Sequence, residues 1–157
     1  MKATDALKKD HAAVKKLFGE FRKARGREAK KRGQLAEKIG HELQVHAQIE
    51  EEIFYPALRQ VARELVDEAR REHEEVKELV AELEAMEPNG EEFLERMTEL
   101  RHAVEEHVKE EESALFARAR ALGDGELRRL GQALTSRKEE LIGGPARRPA
   151  RRARKAA

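Results

Sequence analysis

The chain has 157 residues, with 33 Lys+Arg against 32 Asp+Glu, 41% charged and 39% hydrophobic residues, and no Cys or Trp. A charged share well above the roughly one quarter of ordinary domains excludes a large apolar core, and no apolar run reaches the ~20 residues of a membrane-spanning helix. The missing Cys excludes disulfides, Fe–S clusters and thiolate chemistry within the chain.

The start, MKATDALKKD, has no apolar segment of a secretory signal, so the cytoplasm is the expected compartment and no membrane contact is expected. Thr4 or Asp5 is the expected cap of a first helix reaching about Arg25. The Gly-bounded stretch GREAKKRG (26–33) reads as a connection, and a second helix follows from about Gln34. Within it, Pro56 has no amide hydrogen for the carbonyl of Glu52, which predicts a kink or break. A third helix over 64–87 ends at PNG (88–90), and a fourth runs from Glu91 to about Leu122. GDGE (123–126) precedes a shorter amphipathic helix carrying Leu127, Leu130, Leu134 and Leu141, and GGP (143–145) ends regular structure. The expected fold is all-α: an up-down-up-down four-helix bundle over 1–122, an appended helix over 123–143 and a disordered basic tail over 144–157.

The chain repeats itself. With an offset of 62, Asp5, His11, Val14, Lys15 and Leu17 match Asp67, His73, Val76, Lys77 and Leu79. With an offset of 61, His41, His46, Glu50 and Glu51 match His102, His107, Glu111 and Glu112, so all six His fall in pairs. Two copies of one helical hairpin would pack about a pseudo-twofold axis.

The seam of each helix, stepping by three and four residues, must face the bundle interior. It reads Leu7, His11, Val14, Phe18, Phe21 in the first helix and Ala69, His73, Val76, Val80, Leu83 in the third. In the second it reads Ile39, Leu43, His46, Glu50, Ile53, Ala57, and in the fourth Met97, Leu100, Val104, His107, Glu111, Ala114. Four His and two Glu thus occupy positions that call for apolar residues. An unpaired buried polar group costs a few kcal/mol and a buried carboxylate more, against a domain stability of roughly 5–15 kcal/mol. Either a hydrogen-bonded network or bound metal must compensate them. The spacing favours metal, because His at i and Glu at i+4 differ by about 40° around the helix and aim at one centre. Four imidazoles and two carboxylates exceed one tetrahedral zinc and suit a dinuclear iron or manganese site.

The segments DHAAVKKLF around His11, HAQIEEEIFYPAL around His46 and Glu50, EHEEVKEL around His73 and HVKEEESALF around His107 and Glu111 resemble the hemerythrin-like (HHE) di-iron bundles over about residues 4–120. The resemblance implies two iron ions, ahead of manganese or zinc, bridged by Glu50, Glu111 and an oxo or hydroxo group. His11 and His46 would serve one iron and His73 and His107 the other. Oxygen-carrying members place a further His four residues after the one in the third helix, where this chain has Lys77. The smaller ligand set implies open metal positions and reaction with oxygen, peroxide or nitric oxide, with catalase-like peroxide disproportionation as the specific enzymatic expectation. A sensing or oxygen-binding module without turnover is the alternative.

Tyr55, five residues after Glu50, is the candidate catalytic hydrogen-bond donor, the other reading being a phenol at the bundle end. His41 and His102 stand about 140° from the ligand His and point elsewhere; of the flanking Glu51, Glu52, Glu110 and Glu112 most should be solvated, with Glu51 and Glu112 the candidate acceptors for a ligand imidazole. The tail PARRPARRARKAA has six basic and no acidic residues, leaving the rest of the chain net acidic. A solvated tail is the favoured expectation, and weak contact with nucleic acid or another polyanion is the alternative.

Overall fold

The computed structural model of the protein describes residues 1–24 and 28–143, and these form an all-helical bundle with no strand among the described residues. Helices α1 (Ala3–Lys23) and α2 (Ala29–Ile49) make the first hairpin. Lys2, not Thr4 or Asp5, holds the N-cap position of α1, and Asp5 lies inside the first turn, where the helix dipole favours an anion. Helix α2 begins at Ala29 instead of Gln34, because Ala, Lys and Arg are strong helix formers and extend it back through much of the stretch read as a connection. Gly26 and Arg27 of that stretch, and the tail over 144–157, lie outside the described residues.

Helix α2 continues through a π-helical turn (Glu50–Phe54) into α3 (Tyr55–Glu84). The chain therefore stays helical through Pro56, against expectation. Pro56 sits in the first turn of α3, directly after the π turn. The interruption falls instead at Ala62, with φ −152° and ψ 46°. Beyond it α3 returns antiparallel to α2, so that Gly40 faces Val80 and Glu50 meets His73. The second hairpin is completed by α4 (Glu91–Glu110), which passes through another π turn (Glu111–Leu115) into the short α5 (Phe116–Ala119). Gly123, at φ +87°, ends this run in a conformation that favours glycine. Helix α6 (Asp124–Gly143) then packs across α1 and α2.

The two π turns are separated by the repeat's own offset, and Ala117 stands where the first copy has Pro56, so proline is not their cause. A π turn holds one residue more than an α turn. The extra residue shifts the seam: Ile53, Ala57 and Ala114 are only half-buried, while Phe54, Tyr55, Leu58, Leu115, Phe116 and Ala119 fill the interior.

Two apolar cores result. One contains Val14, Phe18, Phe21, Leu43, Val80 and Phe93, the other Leu7, Phe54, Leu58, Val66, Phe116 and Leu127, Leu130 and Leu134 of α6. The six sequence-selected His and Glu lie buried in the same interior. Helix α6 approaches the start of α1 so closely that a Cβ on Gly131 would collide with the backbone of Met1 and Lys2. Gly131→Ala should therefore cost about 1–3 kcal/mol, read as a lower midpoint of denaturant unfolding; an unchanged midpoint would show that this contact is easily displaced.

Candidate metal centre

His11, His46, Glu50, His73, His107 and Glu111 are all buried and converge from four helical runs. Each imidazole is gripped from outside at Nδ1 by a carboxylate of another helix. His11 donates to Glu112 (2.7 Å), His46 to Asp10 (3.1 Å), His73 to Glu51 (2.7 Å) and His107 to Glu72 (2.7 Å). An ionised carboxylate can only accept, so Nδ1 is the donor in each ring and Nε2 faces inward. The wiring obeys the repeat: the acid preceding each His of α1 and α3 serves α2 and α4, and the acid following each seam Glu serves the opposite hairpin. Asp10 is in turn held by Lys138 of α6 (2.6 Å), and Glu51 by Lys77 (3.3 Å).

Inside this ring, Glu50 Oε1 lies 3.2 Å from His46 Nε2 and 3.0 Å from His73 Nε2. Glu111 Oε1 lies 3.1 Å from His11 Nε2, and its Oε2 lies 3.5 Å from His107 Nε2. Both carboxylates thus touch both halves. Two groups of donor atoms emerge, His11 with His46, Glu50 and Glu111, and His73 with His107 and Glu50. Tyr55 is fully buried, its hydroxyl 2.6 Å from Glu111 Oε2 and 3.1 Å from both Glu50 Oε1 and His73 Nε2. It is no phenol at the bundle end, because the first π turn rotates it onto the centre. Its counterpart in the repeat, Phe116, stacks on His11 with ring centroids 6.2 Å apart.

The donor set fits a cation. His11 and His46 bring their Nε2 atoms within 3.2 Å of each other while both Nδ1 hydrogens are committed outward. Two neutral imidazoles would there oppose lone pair to lone pair. Glu50 Oε2, Glu111 Oε1 and His107 Nε2 are buried without a hydrogen-bond partner, Glu111 Oε1 despite its 3.1 Å approach to His11. Without metal, protons must do the neutralising. Burial opposes charging His46, but Glu50 and Asp10 outweigh it and raise its pKa to about 10. His107, against the same burial, is raised to about 12 by Glu111, Glu50 and Glu72. Burial beside Glu50 and Glu111 pushes the Tyr55 hydroxyl upward, so the phenol keeps its proton.

The sequence marks the six inner residues on the seams, with Tyr55 as a candidate donor and Glu51 and Glu112 only as candidate acceptors among glutamates mostly expected to be solvated. Sequence reasoning missed Asp10 and Glu72, although an acid stands immediately before each seam His of the first and third helices. His41 and His102 are exposed and stay outside the centre.

The model of the hemerythrin HHE cation binding domain matches residues 2–119. The chain belongs to this family. It also resembles a crystal structure of a hemerythrin HHE cation binding domain-containing protein from Mycobacterium kansasii, with a TM-score of 0.82 and 26% identity, covering 91% of this chain and 88% of that one. A curated relative from Nostoc sp., called a DNA nickase, is 34% identical over 125 residues, covering 76% of this chain. The chain spans only 34% of that relative's length. The buried His and Glu cluster accordingly lies within a cation-binding HHE domain, and its donor set fits a metal.

Because His46 and His107 carry protons at neutral pH in the metal-free chain, metal binding at pH 7 should release about two protons per chain. An indicator dye in weak buffer reads this directly, and no release would mean the imidazoles are already neutral. The His46 contribution to metal-free stability is fully present below about pH 6.5 and is lost as pH rises through about 10. Unfolding curves of the metal-free protein should weaken over that window.

Proposed function

We propose that the protein is a non-haem di-iron protein that binds or reacts with oxygen, peroxide or nitric oxide, with peroxide disproportionation as its specific activity. The observation that carries this reading is a cavity of about 30 Å³ bounded by all four ligand imidazoles and by Val14, Leu43, Val76, Val80 and Val104. Such a space takes one or two small molecules, and its apolar wall suits a diatomic or a peroxide better than an anion. Two irons would supply the electrons to bind oxygen or nitric oxide, or would relay two electrons from one peroxide to a second, which yields oxygen and two waters with no net change at the metals.

The chain's own residues divide the remaining work. Glu50 and Glu111 face both halves and are suited to bridge two cations, His11 and His46 to hold one, and His73 and His107 the other. Lys77 Nζ pairs with Glu51 and with Glu74 at 3.0 Å, on the outer side of His73. Lys77 also lines the cavity, but with Nζ paired to these acids it adds no imidazole donor at the centre, which supports reaction over closed coordination. Tyr55 holds a proton at its hydroxyl beside Glu50, Glu111 and His73 and can donate to a small oxygen ligand. Phe54 and Phe116 exclude water from the same side.

Iron-loaded protein should contain two irons per chain, show oxo-to-iron charge-transfer absorption, and release oxygen when given peroxide. Tyr55→Phe should keep the iron and lower oxygen release by about 10²-fold. Iron without turnover would favour the sensing or oxygen-binding alternative; a colourless protein that takes up no iron would end the di-iron reading.

A second reading, of polyanion contact, draws on the basic sequence of residues 145–157 and on the Nostoc relative's name. Deleting these residues should reduce retention on immobilised DNA at low salt and make no difference at high salt. Equal retention at low salt would remove this reading.

A further inference from the structure

The pseudo-twofold repeat supplies an internal control, because whatever the metal centre itself needs should be present in both hairpins. The outer acids are kept: Glu72 of the second hairpin matches Asp10 of the first. Around Glu72, however, α3 and α4 carry a ladder of acids that the first hairpin lacks. Glu68, Glu75, Glu78, Glu99, Glu106 and Glu110 fall on Ala6, Ala13, Lys16, Lys38, Val45 and Ile49. The ladder is therefore not required to orient the histidines.

The two faces also differ in cover. Helix α6 lies across α1 and α2, with Lys138 on Asp10 and Arg137 on Glu52. Between α3 and α4 the corresponding face is an open groove of about 590 Å³, lined by acids of both helices together with His102. Arg71 pairs with Glu68 at its inner end, and Arg96 with Glu82 and Glu99 at its outer end. Among the described residues no ion pair engages Glu75, Glu78 or Glu106, which leaves the middle of the groove strongly negative.

The groove leads inward. Glu68 and Glu72 belong both to it and to a smaller cavity of about 20 Å³, which the exposed Glu110 also lines and which is bounded further in by His107 and Glu111. His107 and Glu111 are 5% and 2% exposed, and His107 Nε2 and Glu111 Oε1 are without hydrogen-bond partners. A negative groove thus ends at two buried side chains, each carrying a donor atom without a hydrogen-bond partner. On the first hairpin Ile49 occupies the place of Glu110 and is itself buried.

We propose that the α3–α4 groove is the inlet through which a divalent metal cation reaches the centre. Glu75, Glu78 and Glu106 gather the hydrated ion, and Glu72 and Glu110 pass it inward to His107 and Glu111. The proposal rests on the metal-binding reading above and adds the direction from which the site is filled. Charge lining a cleft raises the local concentration of an oppositely charged ligand and its rate of association.

The test follows Co2+ uptake by metal-free full-length protein in a stopped-flow spectrometer, through the absorption of bound Co2+. The triple variant Glu75→Gln, Glu78→Gln, Glu106→Gln removes charges from the groove. A control triple, Glu20→Gln, Glu37→Gln, Glu42→Gln, removes the same charge from the first hairpin. At about 10 mM salt, where charges act over ~30 Å, the groove variant should associate about tenfold more slowly than the parent. Its amount bound at saturation should be unchanged and the control should stay within about twofold of the parent. At about 0.5 M salt, where screening is nearly complete, the three should converge. Parent-like uptake by the groove variant, or equal slowing of the control, would overturn the inlet and leave the metal site standing. A parent protein that binds no Co2+ at all would remove both.

Discussion

Every imidazole of the centre is oriented by a carboxylate from another helix, and the rest of the bundle is arranged around that constraint. A His with Nδ1 committed outward has one way to present Nε2, and four such rings in one layer have one common point to face. The same four bonds run between helices: α1 to α2, α3 to α4, and each hairpin to the other. The polar layer thus sets both the aim of the ligands and the lateral register of the helices. It is costly to bury, which explains why a chain with so high a charged fraction still carries two apolar cores, built from Phe18 and Phe21 on one side and Phe54 and Phe116 on the other.

The repeat makes the site nearly symmetric, so the departures from symmetry stand out. Tyr55 brings a hydroxyl to the two carboxylates and His73, whereas Phe116 offers His11 only an apolar face. Lys138 of α6 clamps Asp10, while the matching Glu72 is bordered by Glu110, whose carboxyl is raised to about 7 by its contact with Glu72. The Asp10 face of the centre is therefore covered and paired with a cation of α6, and the Glu72 face is acidic and open on its outer side.

Much of this was legible in the sequence. Six polar residues on apolar seams, in two copies, gave the helices that converge and the residues that meet, because helical periodicity converts directly into a common face. The outer acids Asp10 and Glu72 escaped, since an acid beside a seam His looks solvated until the partner helix is placed against it. Pro56 misled in the other direction: its chemistry predicts an interruption, and the chain instead seats it in a first helical turn. Ala62, where the helix does turn, carries no sequence signal for it. The same holds for the π turns, which are set by backbone hydrogen bonding and leave no residue-type signature in Glu50–Phe54 or Glu111–Leu115.

Those two wide turns act as phase shifters. In a regular α-helix the residues that follow Glu50 and Glu111 would keep the angular phase of the residues before them, and Tyr55 would lie about 140° from the metal-facing direction. One added residue resets that phase, so a single helical run serves one apolar core above the polar layer and a differently rotated one below it. The layer therefore sits on a boundary between two packing registers. Shortening either turn by one residue would unscrew the whole segment beyond it while leaving the ligands themselves in sequence.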